Sequence, residues 1–155
     1  MSKELITKFY TAFSELDSAT MASCYHDEIE FTDPAFGNLK GERAKAMWIM
    51  LCKNAQDLKI EFSKIEATET NGSAHWDASY TFRKTGRPVL NSIDSQFEFQ
   101  DGKIIKHVDS FNLHTWAKQA IGLQGLLLGG TSFFKKKLHQ QTNGLLDKFI
   151  NSKDS

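Results

Sequence analysis

A chain of 155 residues with 19 basic and 19 acidic side chains carries no net charge at neutral pH. A length of this order folds as one domain and buries roughly 70% of the surface its unfolded chain exposes, so the core needs no staple. The charge balance gives no reason to expect nucleic acid or an anionic membrane as partner, and no run approaches the roughly 20 apolar residues of a membrane span. Cys24 and Cys52 stand on helical apolar faces without metal or redox spacing. Residues 1–5 show no apolar leader, and a reducing cytoplasm is the expected location.

Leu5, Phe9, Ala12, Phe13 and Leu16 recur at helical spacing and predict a first amphipathic helix. Asp17-Ser18 ends it and offers an N-cap for a short second helix through Met21, Cys24 and Tyr25. Ile29 and Phe31 then alternate with charged neighbours, and Asp33 falls on their face just before Pro34. A residue before proline is pushed to extended backbone, so a short strand is predicted to end at Asp33 with its carboxylate on the side of Phe31. Gly41 precedes a third helix with the stripe Ala44, Met47, Trp48, Leu51 and Cys52. Such a stripe packs into a core, and Trp48 is placed to line any cavity there.

Four strands follow. Residues 60–67 alternate, Asn71-Gly72 reads as a hairpin turn, and residues 74–82 put Trp76, Ala78, Tyr80 and Phe82 on one face. Thr85-Gly86-Arg87-Pro88 turns the chain into a central hairpin of residues 89–99 and 104–112. Its Asp101-Gly102 link suits a type I′ turn, which needs positive φ at both central residues. In the first arm Val89, Asn91, Ile93, Ser95, Phe97 and Phe99 share a face, and in the second Ile105, His107, Asp109 and Phe111 do. Four polar side chains on otherwise apolar faces must find partners or form a site. Helices grouped before strands predict an α+β domain, with a curved antiparallel sheet wrapped over the helices.

Beyond the sheet, residues 116–120 read as helix up to Gly122. Gly125, Gly129 and Gly130 surround Leu126-Leu127-Leu128 but form no phosphate loop, since no strand feeds them and no Gly-Lys-Ser/Thr follows. A tight crossing that caps the open end of the sheet is expected. Phe134, Leu138, Leu145 and Phe149 predict a last helix, with Lys135-Lys136-Lys137 on its solvated side and residues 151–155 as a frayed tail. The whole reads as one domain over 1–155, with a core of 1–115 and a helical extension of 116–151.

This order of elements, with Asp33-Pro34-Ala35-Phe36-Gly37 after the first strand, resembles the nuclear transport factor 2-like superfamily in its SnoaL-like, ketosteroid-isomerase-like branch. The resemblance covers about residues 5–112. The run Cys24-Tyr25-His26-Asp27-Glu28-Ile29-Glu30-Phe31-Thr32-Asp33-Pro34 aligns without gaps with the stretch bearing the isomerase's proton-shuttling aspartate. The family implies a cone-like half-barrel closed on one side by helices, a mostly apolar pocket and a homodimer, here expected through the outer sheet face. The tail over 116–149 is similar to that of bacterial members with a helical extension. Carried over by position, the shuttling aspartate is Asp33. The isomerase's tyrosine donor falls on Phe9, which has no proton to give, and its second acid falls on Ser95. Both halves of that enzyme's oxyanion hole are thus replaced, and steroid isomerisation is not expected.

The candidate proton-transfer groups are Asp33, His107 and Asp109, with Phe9, Trp48, Trp76, Tyr80, Asn91, Ser95 and Phe111 as the lining of a ligand site. Burial in an apolar pocket raises a carboxyl pKa toward neutrality, and a carboxylate two residues from a histidine orients it or holds it charged. Such groups serve isomerisation, dehydration, aldol-type cyclisation or epoxide opening on a hydrophobic small molecule. The other readings are a non-catalytic ligand-binding protein and a protein-interaction module. In those, His107 is a satisfied core residue, Asp33 caps its own loop and Asn91 bonds neighbouring backbone. His107, Asp109 and Asp33 are legal metal ligands, but no ligand motif spaces them, and neither metal nor cofactor is expected. Ser95, Ser110 and Cys24 sit in no recognisable nucleophile motif.

Overall fold

The computed structural model describes residues 2–153. Helices α1 (Ser2–Ser14) and α2 (Ser18–Cys24) are joined by a break at Leu16-Asp17. There the Asp17 carboxylate accepts from the Thr20 backbone N–H at 3.1 Å, as its N-cap position requires. Tyr25 is the first residue of a strand rather than the end of α2. Strand β1 (Tyr25–Asp33) turns through Pro34-Ala35-Phe36 into β2 (Gly37–Lys40), a short antiparallel partner that residue alternation did not single out. Helix α3 (Glu42–Asn54) and the meander β3 (Lys59–Ala67), β4 (Asn71–Phe82), β5 (Arg87–Gln100) and β6 (Lys103–Ser110) complete the body.

The six strands lie in the order β2-β1-β6-β5-β4-β3, with every pair antiparallel except β1 and β6. That parallel pairing brings Phe31 beside His107 and Thr32 beside Val108. One face of the curved sheet packs on α1 and α3 through Phe9, Tyr10, Phe13, Met47 and Trp48, all buried. The other face carries His75, Asp77, Asp94, Gln96, Glu98 and Lys106, and Leu90 is its one large exposed apolar side chain among the described residues. An outer face this polar offers the expected dimer little apolar area to bury.

Three local departures from simple alternation matter. Asp101 and Gly102 both have positive φ, at 56° and 73°, as the turn type demands. Asn71-Gly72, in contrast, belongs to β4. The turn lies at 68–70 and is held by the Thr68 hydroxyl, which accepts from the Asn71 N–H. Gly72 is needed for space: a Cβ there would lie 2.8 Å from Ile6 and 2.9 Å from Phe99. Bulges shift two strands by one residue. Lys64 takes φ 54°, so Ile60 and Phe62 share their side with Ile65 and Ala67. A second irregularity near Ile105 puts Ile104, fully buried, on the His107 side, where alternation had placed Ile105.

The extension docks closely on this body. Helix α4 (Leu113–Ile121) starts on the Asn112 cap, and Trp116, Ala117 and Ala120 pack on Val89, Tyr80 and Phe82. Beyond the end of β6, the Gln119 carboxamide continues the ladder of β5, accepting from the Leu90 N–H at 2.7 Å and donating to its carbonyl at 3.1 Å. Helix α5 (Leu123–Leu128) crosses α4 so tightly that a Cβ on Gly125 would overlap the Ala117 carbonyl, which is the crossing expected of these glycines. Helix α6 (Ser132–Lys153) then runs back beside α3, continuous through residues expected to fray; residues 154 and 155 lie outside the described residues. Its anchor is Leu146, with no exposed surface, whereas Leu145 is 52% exposed. Phe134, Leu138 and Phe149 pack inward as their spacing predicts, and only Leu145 yields its place, to Leu146, where the contacts of α6 to the β1–β2 turn fix the face.

Leu146→Ala should therefore cost about 2–5 kcal/mol in urea unfolding, while Leu145→Ala should change stability by no more than about 0.5 kcal/mol.

Candidate functional site

The chemistry-bearing residues of the inner sheet face meet in one hydrogen-bonded string. Asp109 Oδ1 accepts from the Ser95 hydroxyl at 2.5 Å and lies 2.7 Å from His107 Nε2. His107 Nδ1 is 2.8 Å from the Tyr25 hydroxyl, which accepts from Trp48 Nε1–H at 2.8 Å. On the other side the Ser95 oxygen lies 2.7 Å from the Tyr10 hydroxyl and accepts from Trp76 Nε1–H at 3.0 Å.

Donor chemistry orients every proton in this string. An indole N–H can only donate, so Tyr25 accepts from Trp48 and spends its single proton on His107 Nδ1. With Tyr25 donating to Nδ1, the other ring nitrogen, Nε2, has its hydrogen aimed at Asp109. Ser95 receives Trp76 and Tyr10 and gives its own proton to the same carboxylate oxygen. Both arms of the string end on Asp109 Oδ1. Burial, and after it the Asp109 charge, push the Tyr10 and Tyr25 phenols well above their usual range, so both remain donors.

Aromatic rings enclose the string. His107 has no exposed surface, with Phe97, Phe31 and Phe9 centred 4.5, 5.0 and 5.6 Å from its ring. Asp109 keeps 4% of its surface exposed. Among the described residues no fully buried side-chain nitrogen or oxygen lacks a partner, and Oδ2 of Asp109 takes no hydrogen bond. That oxygen is accordingly where the string opens.

Asp33 ends β1, one residue past the last β1–β6 pair, Thr32 with Val108, and on the face of Phe31 and His107, close enough to Asp109 to feel its charge. It is half-buried, and its Oδ1 accepts from the backbone N–H groups of Ala35 at 3.0 Å and Phe36 at 2.6 Å. Its carboxyl is thus turned back onto its own turn. Burial raises its pKa to about 7, with the neighbouring Asp109 charge adding to the rise and the two N–H bonds opposing it. The turn itself is clamped by α6: His139 Nε2 donates to the Pro34 carbonyl at 2.8 Å, Thr142 to Ala35 at 2.9 Å and Asn143 to Phe36 at 3.0 Å.

Of the residues read from sequence, the structure brings His107, Asp109, Ser95, Trp48, Trp76 and Phe9 into one cluster, with Asp33 at its edge. Tyr80 and Phe111 belong with the extension: the Tyr80 hydroxyl accepts from Trp116 Nε1–H at 2.8 Å, and Phe111 packs against both apolar clusters. Asn91 is half-buried opposite Ala78, outside the string. Tyr10 and Tyr25 are members of the string that sequence reasoning missed. Tyr10 neighbours Phe9, the position judged to lack a proton, and a tyrosine on a buried helix face was itself the signal that a polar partner must exist. The space expected to be an apolar pocket holds the rings of Phe9, Phe13, Trp48, Trp76 and Phe97. Two clefts, one along α1 and one beneath α5 and α6, are lined by neither Asp33, His107 nor Asp109.

The model of the SnoaL-like domain matches residues 6–107. The chain belongs to this SnoaL-like family. Solved structures agree on the fold. A hypothetical protein with a ketosteroid isomerase-like fold from Catenulispora acidiphila, in complex with trimethylamine, aligns at a TM-score of 0.66 and 12% identity, over 76% of this chain and 92% of its own. An M. tuberculosis LEH-like epoxide hydrolase aligns at 0.64 and 17%, over 81% and 93%. TerC co-crystallised with polyporic acid aligns at 0.63 and 15%, over 75% and 95%. A comparison with curated proteins finds no match. The SnoaL-like model ends inside β6, and the share of this chain left unaligned by the solved structures matches the size of the extension.

Two outcomes follow from the geometry. Tyr25→Phe leaves His107 Nδ1 and Trp48 Nε1–H without their partner and should cost about 1–3 kcal/mol in chemical denaturation, while nitrogen NMR shifts of the native His107 ring should report the Nε2–H tautomer. For Asp33, the neutral carboxyl is the form that folding favours, so its contribution is complete below the unfolded value near 3.8 and is lost as pH rises through about 7. Asp33→Asn does not titrate. Its stability relative to the parent should rise across that window and level off above it, read as melting temperatures of both proteins over a pH series.

Proposed function

We propose that this chain is a cofactor-independent acid/base enzyme acting on a small, mostly apolar molecule, with Asp33 as the group that takes and returns the proton. The observation that carries this reading is a half-buried carboxyl at the end of β1 with a pKa of about 7, within electrostatic reach of Asp109. A base is most effective when its pKa lies near the working pH. Asp109 has the matching role: braced by Ser95 and His107, it adds to the rise that burial gives the Asp33 pKa. The string from Trp48 to Tyr10 supports Asp109 from behind and leaves Oδ2 facing the same edge. A ligand would meet this edge rather than His107, which the rings enclose. Proton transfer to and from carbon by one carboxyl suits an isomerisation or an aldol-type cyclisation of a ketone or hydroxyquinone.

A second reading rests on the hydrogen bonds from Ala35 and Phe36 to Asp33 and on the closed ring cage: Asp33 is a turn cap, the string is a core brace, and the protein only binds ligand or partner. Carbon-13 NMR titration of the Asp33 carboxyl separates the two. In the first reading the carboxyl titrates near 7, and Asp109→Asn moves it lower because a neighbouring negative charge is gone. A panel of apolar ketones and hydroxyquinones, including polyporic acid, should quench the fluorescence of Trp48 and Trp76. Solvent deuterium should enter ligand carbon with a rate that rises through pH 7, shifts to lower pH in Asp109→Asn and vanishes in Asp33→Asn. An ordinary Asp33 titration that Asp109→Asn leaves unmoved would sink the catalytic reading. Quenching without deuterium exchange would establish the binding one.

A further inference from the structure

The extension is charged in a way the whole-chain balance conceals. Between Asp109 and Asp147 there is no acidic residue, while Lys118, Lys135, Lys136 and Lys137 are all present. The β4–β5 turn packed against it adds Arg83, Lys84 and Arg87, again without an acid. The Arg87 guanidinium lies against Gly122, its Nε donating to the Gln119 carbonyl at 2.7 Å. The four lysines and Lys84 are exposed.

The same corner carries most of the large exposed apolar side chains of the described residues. Leu123 and Leu127, one turn apart on α5, are each 70% exposed; Leu126 and Leu128 are about half exposed, and Phe133 is 68% exposed. Leu128, Phe133, Lys84 and Lys137 line one cleft of about 300 Å³ floored by Phe82, Trp116 and Leu138. The Lys137 ammonium sits 5.9 Å from the centre of the Phe133 ring. Lys136 and Lys137 follow Phe133 by three and four positions, which puts them on its side of α6. Exposed apolar patches of this kind mark interaction sites.

We propose that this corner, α5 with the first turns of α6 and the β4–β5 turn, is a docking surface for an anionic lipid bilayer, with Leu123, Leu127 and Phe133 entering the interface and the lysines and arginines facing the headgroups. Apolar side chains ringed by cations are the composition by which interfacial segments bind: apolar burial supplies depth, and attraction to anionic lipid supplies selectivity. A nucleic acid would leave the leucines unused. The contact is to a surface, since among the described residues no helix is long and apolar enough to cross a membrane.

The test is sedimentation of the full chain with vesicles of pure phosphatidylcholine and with vesicles that also contain phosphatidylglycerol, at low and high salt. The parent should bind the anionic vesicles, release as salt rises and ignore the neutral ones. Lys135→Gln, Lys136→Gln and Lys137→Gln together should weaken binding by about a hundredfold. Leu127→Ser with Phe133→Ser should abolish it. These positions are exposed, so unchanged circular dichroism and melting curves are expected of both variants. If the parent stays in the supernatant with anionic vesicles, or binds both vesicle types alike, or if the triple glutamine variant binds like the parent, the proposal fails. Self-association by light scattering that both variants abolish, without vesicle binding, would instead assign the corner to a second copy of the chain.

Discussion

The convergence of Ser95 and His107 on one oxygen of Asp109 is the constraint that the interior is arranged around. An ionised carboxylate at 4% exposure is untenable unless donors replace the water it lost. Two donors from the sheet supply that, and each is oriented by a second layer: Tyr25 and Trp48 behind His107, Tyr10 and Trp76 behind Ser95. Both ends include an indole that can only donate, Trp48 to Tyr25 and Trp76 to Ser95. Elements distant in sequence must therefore dock correctly for the charge to be tolerated. Helix α1 contributes Tyr10, β1 Tyr25, α3 Trp48, β4 Trp76, β5 Ser95 and β6 the pair itself. A half-satisfied network would be worse than an apolar core, which makes this one a strong determinant of a single packing.

The extension is tied to the same region from the opposite direction. Its last helix holds the carbonyls of Pro34, Ala35 and Phe36, and the N–H groups of Ala35 and Phe36 in turn hold Asp33. Arg43 on α3 reaches Asp147 at 2.6 Å and Asn143 at 2.8 Å, so α6 is pinned to the wall beside that turn. The middle of α6 thus serves to fix the turn from which the Asp33 carboxyl projects. What it leaves uncovered is the α5 corner, where apolar and cationic side chains coincide.

Burial separates the two carboxylates chemically. Asp109 has its hydrogen bonds from side chains that need its charge to be useful to them. Asp33 has lost comparable solvation and gained only two backbone N–H groups on a single oxygen, with a negative neighbour besides, and its pKa rises to about 7.

The sequence by itself determined the periods and the punctuation: the amphipathic first and third helices, the meander, the type I′ turn at Asp101-Gly102, the inward face of Ser95, His107 and Asp109, and a family resemblance that the domain match sustains. These are local properties, set by 3.6- and 2-residue periods and by residues that tolerate positive φ. Tertiary structure decided whatever depended on partners from elsewhere in the chain. Bulges at Lys64 and near Ile105 reset which residues face inward, and the parallel β1–β6 pairing, Phe31 with His107 and Thr32 with Val108, brought the end of β1 close to Asp109. Leu146 rather than Leu145 became the anchor because turn carbonyls about a hundred residues away fix the rotation of α6. Tyr10 rather than Phe9 became the donor from α1 because only the docked helix shows which of two adjacent aromatic rings reaches Ser95. No period in a sequence carries that choice, since it is made by side chains 85 positions apart.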